Sequence, residues 1–146
     1  MKISTYKKFN FKFLLTAFLL LSFSLSSCSK KVRFITSQVV PAAQGYTKIS
    51  RDDNKNYAIE IEIENLAEST RLQPPKAVYV VWLETANNGT KNLGQLKSSS
   101  GFFTSGLTGT LEAVTPFKPK RVFITAEDRS NLDYPGSQAV LSTKTF

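Results

Sequence analysis

The fold is decided by residues 57–65, which read YAIEIEIEN. In an extended chain successive side chains point to opposite faces, so Tyr57, Ile59, Ile61 and Ile63 share one face and glutamates occupy the other. A row of isoleucines opposite a row of glutamates is typical of a strand with one buried face and one face in water. The stretch therefore predicts an antiparallel sheet that packs on a core by one side.

Further strands are predicted along the chain, because strand-like runs return about every ten residues with turn residues between them. Residues 52–56 have the composition of a hairpin turn, and Asn87-Asn88-Gly89 is a strong hairpin signal. Pro74 and Pro75 cannot donate to a ladder and are assigned to a loop. The predicted strands cover residues 45–51, 57–65, 77–84, 90–96, 107–113, 121–126 and 138–143, and residues 32–40 form a first strand or a covering arm.

Seven or eight short strands predict an all-β domain, a single immunoglobulin-like antiparallel sandwich over residues 41–146. The strand at 77–84 is apolar on both sides, which indicates a central strand or one whose outer face is covered. Trp82 is expected to be the core tryptophan of the sandwich. The competing architecture, a transmembrane barrel, needs strands of about 9–11 residues, and these are shorter.

The beginning of the chain is typical of an export signal. Residues 1–12 carry four lysines and no acidic residue, and residues 13–25 read FLLTAFLLLSFSL. A helix that spans a membrane needs about 20 apolar residues, so this run is too short and suits the core of a signal peptide. We expect residues 1–27 to be a signal peptide that is removed on export.

Leu25-Ser26-Ser27-Cys28 follows the apolar run, with a branched apolar residue, two small residues and a cysteine. This pattern resembles the lipobox of bacterial lipoproteins. The resemblance implies cleavage before Cys28, a diacylglyceryl group on its thiol and a further acyl chain such as palmitate on the new α-amine. Two or three chains anchor stably, because one alone is marginal. The alternative is an ordinary secretory signal with a stray cysteine.

The residues after Cys28 bear on the location of the anchor. Residues 28–40 are expected to be a lipidated N-terminus followed by a tether or a first strand. In lipoproteins an aspartate after the cysteine signals retention in the inner membrane, and an acidic run sends some of them to the cell surface. This chain has neither an aspartate after Cys28 nor an acidic run. The residues in these positions are Ser29, Lys30, Lys31 and Arg33. The resemblance therefore implies the periplasmic face of the outer membrane.

Composition excludes several classes of function. The chain has no histidine and a single cysteine, which excludes His- or Cys-based metal sites, intrachain disulfides and nucleophiles activated by histidine. With the four leader lysines removed from 19 Lys/Arg, 15 remain against 11 Asp/Glu, a net charge near +4. Nucleic-acid binding would need a basic stripe with aromatics and is not expected, nor is a cofactor.

Several short motifs in the second half of the chain occur in the order of a known domain. They are Tyr79-Val80-Val81-Trp82-Leu83, Leu93-Gly94, Val122-Phe123-Ile124-Thr125-Ala126-Glu127, Pro135-Gly136 and Ala139-Val140-Leu141. They resemble the extracytoplasmic domain of anti-sigma-K-type factors. The resemblance implies a periplasmic β sandwich. Sigma-factor binding is not implied, because those factors bind with a separate cytoplasmic domain joined by a membrane helix, and we expect neither here.

Two clusters of oxygen-bearing side chains are candidate sites. Asp52, Asn54 and Asn56 alternate as calcium ligands do, but a calcium loop of the EF-hand type has a glycine and a glutamate where Tyr57 and Ile63 stand. A plain turn is favoured there. Glu127-Asp128 is an acidic pair at the end of a strand, and neighbouring strand residues point to opposite faces. A solvated strand end is favoured over a glycan-acting carboxylate pair.

The sequence therefore predicts a non-catalytic envelope lipoprotein whose sandwich binds another envelope component, a protein or a glycan. The alternatives are a structural subunit of an outer-membrane assembly and a glycan-acting enzyme that uses carboxylates. Lys118-Pro119-Lys120-Arg121 is interpreted as a solvated loop, with contact to lipid headgroups as the alternative. The predicted interaction surface consists of Tyr79, Val81 and Leu83 with Phe102 or Phe103.

Overall fold

The structure is a computed structural model that describes residues 29–100, 106–137 and 139–146. The leader, Cys28, Phe102 and Phe103 lie outside these residues. The described chain forms nine β-strands and a short 3-10 helix at Ser69–Arg71. The strands are β1 (Lys30–Arg33), β2 (Gln44–Arg51), β3 (Tyr57–Leu66), β4 (Val78–Thr85), β5 (Thr90–Gln95), β6 (Lys97–Ser100), β7 (Leu107–Thr115), β8 (Pro119–Glu127) and β9 (Ala139–Ser142).

The strands form two antiparallel sheets, as predicted. One has the order β1-β2-β3-β7-β6 and the other β5-β4-β8-β9. In an immunoglobulin-like sandwich strands A, B, E and D share one sheet and strands C, F and G share the other, with C′ added beside C in some members. Strands β2 to β9 are distributed in this way, and β1 is added at the edge beside β2. The prediction of an all-β sandwich is confirmed.

The alternation in β3 determines which side of the five-stranded sheet is buried. Ile59, Ile61 and Ile63 are at most 3% exposed and face the other sheet. The glutamates between them lie on the outside. A buried isoleucine contributes roughly 1.5–3 kcal/mol relative to an exposed one, so this row is a large share of the core.

A hairpin turn joins β2 to β3, as the composition of residues 52–56 predicted. The Asp52 N–H donates to the Asn56 carbonyl at 3.0 Å, and Asp52 Oδ1 accepts the Asn56 N–H at 2.7 Å. Lys55 has a positive φ of 65°. The Asp52 carboxylate also accepts the side-chain amide of Asn56 at 3.3 Å, so both of its oxygens hold the turn.

Residues 30–43 combine the two predictions for this region. Residues 30–33 are a strand, and the chain after them is a covering arm. The Phe34 N–H donates to the carbonyl of Gly45 in the first sheet at 3.0 Å, and the Ile35 N–H donates to the carbonyl of Ser142 in the second sheet at 2.8 Å. The arm therefore crosses from one sheet to the other and closes one side of the sandwich.

Strand β6 was not predicted. It reads KSSS, and each of its residues is exposed. It pairs with β7 from Lys97 opposite Thr110 to Ser100 opposite Leu107. Because neither face of β6 is buried, its sequence shows no alternation, and the pattern does not distinguish this strand from a loop.

Candidate functional site

The predicted interaction surface on β4 is wrong, because its three residues are buried. Tyr79 is 4% exposed, and Val81 and Leu83 are 0% exposed; all three belong to the core between the sheets. The Tyr79 hydroxyl donates to the Ala67 carbonyl at 3.0 Å, and burial raises the pKa of this phenol to about 12. The other half of the predicted surface, Phe102 and Phe103, lies outside the described residues.

The opposite face of β4 is the outer one, so the two faces are exchanged relative to the prediction. Trp82 is fully buried, but in a second, smaller cluster with Val80 and Phe123 on the outside of the four-stranded sheet. Its ring stacks near that of Phe123, with centroids 6.4 Å apart, and its Nε1 donates to Thr125 Oγ1 at 2.8 Å. Trp82 is therefore a core tryptophan of the outer cluster and not of the space between the sheets.

The segment 128–137 covers this outer cluster. Leu132 packs against it, and the Asn92 side-chain amide donates to the carbonyls of Ser130 and Leu132, both at 2.8 Å. At the other end of the segment, Glu127 Oε1 accepts the backbone N–H of Gly136 at 3.0 Å. The chain itself thus occupies this face.

The acidic pair Glu127-Asp128 does not share a cleft. Glu127 is 3% exposed, and its Oε1 also accepts the Ser137 N–H at 3.3 Å, so it holds the covering segment in place. Asp128 is exposed and forms an ion pair with Lys76 at 2.9 Å. One carboxylate has a role in the fold and the other lies at the surface, a geometry unlike the paired carboxylates of a glycosidase.

The outer face of the five-stranded sheet is open to solvent, and we call it the charged face. Its side chains are set in rows by the strand register. Glutamates occupy the centre, and basic residues lie toward both edges. One row runs Arg33, Tyr46, Glu62, Thr110 and Lys97, and the next runs Lys31, Lys48, Glu60 and Glu112.

Tyr46 lies near the middle of the charged face. Its hydroxyl donates to Glu62 Oε2 at 2.5 Å, and the Lys31 ammonium lies 3.4 Å from its ring centroid. The hydrogen bond to Glu62 is the main reason why the pKa of this phenol is raised, with partial desolvation and nearby glutamates adding to it. A shallow cleft of about 530 Å³ lies beside it, lined by Glu60, Glu62, Lys97, Thr110 and Glu112 among others.

Two carboxylates face each other across neighbouring strands in this cleft. Glu60 on β3 is directly opposite Glu112 on β7. Like charges in this position destabilise a sheet. Lys48 partly offsets the repulsion, because its Nζ lies 3.1 Å from Glu60, but that pair is about half exposed on each side. The arrangement favours a positively charged group over the centre of the face.

No group of three or more acidic, histidine or cysteine side chains in the described residues is placed to hold a metal ion. Sequence reasoning missed the charged face as a site, although one signal was present. The glutamates of β3 indicated an exposed row, but the position of Glu112 beside it depends on the pairing of β3 with β7.

The chain matches no known protein-family profile, no curated protein and no solved structure at a significant level. Among the helices of the described residues, none is long and apolar enough to span a membrane.

Proposed function

We propose that this chain is an envelope lipoprotein, anchored by acyl chains on Cys28, whose sandwich is a non-catalytic module that binds another envelope component. The leader and Leu25-Ser26-Ser27-Cys28 support the anchor. The sequence pattern after Cys28 supports the periplasmic face of the outer membrane. A β sandwich is also what the resemblance to the extracytoplasmic domain of anti-sigma-K-type factors implies.

The binding surface that we propose is the charged face. The observation that carries this assignment is the Glu60–Glu112 pair, a repulsive arrangement on an open face. A fold gains nothing from facing carboxylates, whereas a partner with lysines or arginines would pair with both of them. We therefore expect a partner that presents a basic segment to the centre of this face.

Two experiments test the two parts of this function. For the anchor, Cys28→Ser in the producing cell should leave the precursor unprocessed and without fatty-acid label. Normal palmitate labelling of that variant would refute the anchor.

For the binding surface, a photo-crosslinking residue is placed at Thr110 in the charged face or, as control, at the exposed Tyr134 far from it. We expect one product from Thr110, absent from Tyr134, that is lost when Glu60→Lys and Glu112→Lys are added. Equal products from both positions would refute the assignment. A stoichiometric, stable partner would identify a subunit of an assembly, and a small-molecule adduct would identify a ligand.

A further inference from the structure

We infer that one end of the sandwich rests on an anionic phospholipid surface and holds the domain upright on the membrane. The inference rests on the proposed acyl anchor and adds to it a second membrane contact made by the folded domain. This anchor-proximal end consists of residues 29–30, the connecting segments 51–57, 85–90 and 115–119, and residues 143–146.

The topology brings these segments together. At the beginning of β1, Lys30 is opposite Ile49, near the end of β2. Tyr57 is opposite Thr115, so the β2–β3 and β7–β8 connections lie side by side. Beside the other sheet, the Ala86 N–H donates to the backbone carbonyl of Lys118 at 3.1 Å. The Phe146 N–H donates to the backbone carbonyl of Lys120 at 2.9 Å, which places residues 143–146 at the same end.

The proposed lipid attachment is close to this end. Cys28 precedes Lys30 by two residues, and two residues span at most about 7 Å. Strand β1 begins at this end and runs toward the far end of the sandwich. Ser29, which precedes Lys30, therefore lies on the side of these segments. An acylated Cys28 would leave almost no free tether between the bilayer and the domain.

The charge of this end matches an anionic surface. Its segments carry five basic and two acidic side chains, and the carboxylate of Asp133 lies beside Asn88 and Gly89, so the net charge of this end is +2. The basic residues are Lys30, Arg51, Lys55, Lys118 and Lys144, and the acidic ones are Asp52, Asp53 and Asp133.

Three aromatic rings of this end lie beside basic side chains. Arg51 is 4.2 Å from the centroid of Tyr57. Lys91 lies 5.0 Å from that of Phe117, and Lys30 lies 5.3 Å from that of Phe146. The three rings are half-buried. Basic side chains beside partly exposed aromatic rings suit the headgroup region of a bilayer. The rings contact the apolar part of that region, and the cations contact its polar part.

The consequence is a defined orientation. Each basic residue near an anionic bilayer contributes roughly 1 kcal/mol of attraction, which raises the equilibrium constant for contact with the bilayer about fivefold. With this end on the headgroups, the strands stand away from the bilayer. The charged face then points along the membrane, where a neighbouring envelope component can reach it.

The test uses the acylated full chain in vesicles, either phosphatidylcholine alone or with part of it replaced by phosphatidylglycerol. A fluorophore is attached at Asn54→Cys in the anchor-proximal end or at Thr70→Cys, an exposed position in the connection from β3 to β4 at the far end, and energy transfer to a headgroup-labelled lipid is measured. We expect higher transfer from Asn54→Cys in the anionic vesicles than in the neutral ones, a fall with added salt, and low transfer from Thr70→Cys throughout.

Matched charge reversals complete the test. Lys118→Glu with Lys144→Glu should lower the ratio of docked to undocked orientations by at least about 25-fold, because two lysines are lost and the two added glutamates are repelled by the anionic lipids. Lys97→Glu with Arg129→Glu makes the same charge change away from this end and should leave it unaltered. Equal transfer in both lipids, or equal effects of the two double variants, would overturn the docking while the anchor stands. Chain isolated from the membranes of the producing cell without any acyl group on Cys28 would overturn the anchor and, with it, the docking.

Discussion

The two sheets of this sandwich treat their outer faces in opposite ways. The four-stranded sheet presents an apolar outer face and covers it with residues 128–137, whereas the five-stranded sheet presents glutamates and lysines and leaves them in water. An apolar outer face must be covered because exposed apolar area is costly, and the chain supplies the cover itself. A charged face has no such requirement, and it is therefore the face that stays available to a partner.

The covered face should be essential for stability, and Trp82→Ala is the most direct way to break it. This change removes the largest side chain of the outer cluster, its stacking on Phe123 and its hydrogen bond to Thr125. We expect a loss of roughly 3–5 kcal/mol in the free energy of unfolding, measured by urea denaturation. That is a large part of the net stability of a domain of this size.

The matched control is Val114→Ala on the charged face. Val114 is 63% exposed, so its truncation should change the free energy of unfolding by less than about 0.5 kcal/mol. Similar losses for the two variants would show that the faces do not differ in the way described.

A second variant separates the cover from the sheet beneath it. Asn92→Ala removes the amide that holds Ser130 and Leu132. We expect a loss of about 1–2 kcal/mol and faster hydrogen exchange at the Gly136 and Ser137 amides, which Glu127 protects. Asn88→Ala, in the exposed turn of the same hairpin, should alter neither quantity. Unchanged exchange in Asn92→Ala would mean that Asn92 is not what holds the cover.

The difference between the two outer faces also explains which features could be predicted from sequence. In β3 the isoleucines and glutamates differ so strongly that the buried side follows directly. In β4 both sides are apolar, and nothing local distinguishes Trp82 from Leu83. The outer face is decided by the segment that covers it. That segment is held by hydrogen bonds from Asn92 to Ser130 and Leu132, which lie 38 and 40 positions further along the chain. Local patterns contain no information about such contacts.

The charged face was predictable only in part for a similar reason. The glutamates of β3 announce an open row, and the hairpin to β2 makes Lys48 a natural neighbour of Glu60. Glu112 joins them through pairing between strands that are about 50 residues apart in sequence. The sheet register that creates the like-charge pair is a property of the whole topology and not of any one segment.

The rim of the covered face should respond to acid. Glu84 lies 2.7 Å from Lys120 Nζ and 2.9 Å from Arg121 Nε, and the hydrogen bond from Lys120 is the main cause that holds the pKa of this carboxyl below its ordinary 4.5. A lowered pKa stabilises the fold above the unfolded-state value, and this contribution is lost as pH falls through the folded value. Glu84→Gln should therefore cost up to about 1 kcal/mol at neutral pH and nothing in acid.

Urea denaturation across pH checks this expectation. The gap between Glu84→Gln and the parent chain should be largest near neutral pH and should close below about pH 4. Glu64→Gln, an exposed carboxyl on the charged face, supplies the control and should show no comparable gap. A gap that widens in acid would contradict the sign of the pKa shift.

The smallest effect is expected on the charged face, and its sign is the informative part. Glu112→Gln relieves the repulsion with Glu60, so it should raise the free energy of unfolding by about 0.2–1 kcal/mol at low salt, and less at high salt. Glu60→Gln should gain less, because it also removes the ion pair with Lys48. If Glu112→Gln stabilises the domain and weakens crosslinking from Thr110, the carboxylate pair costs stability and serves binding. A loss of stability would instead show that Glu112 stabilises the sheet. The main reason for proposing the charged face as a binding surface would then be gone.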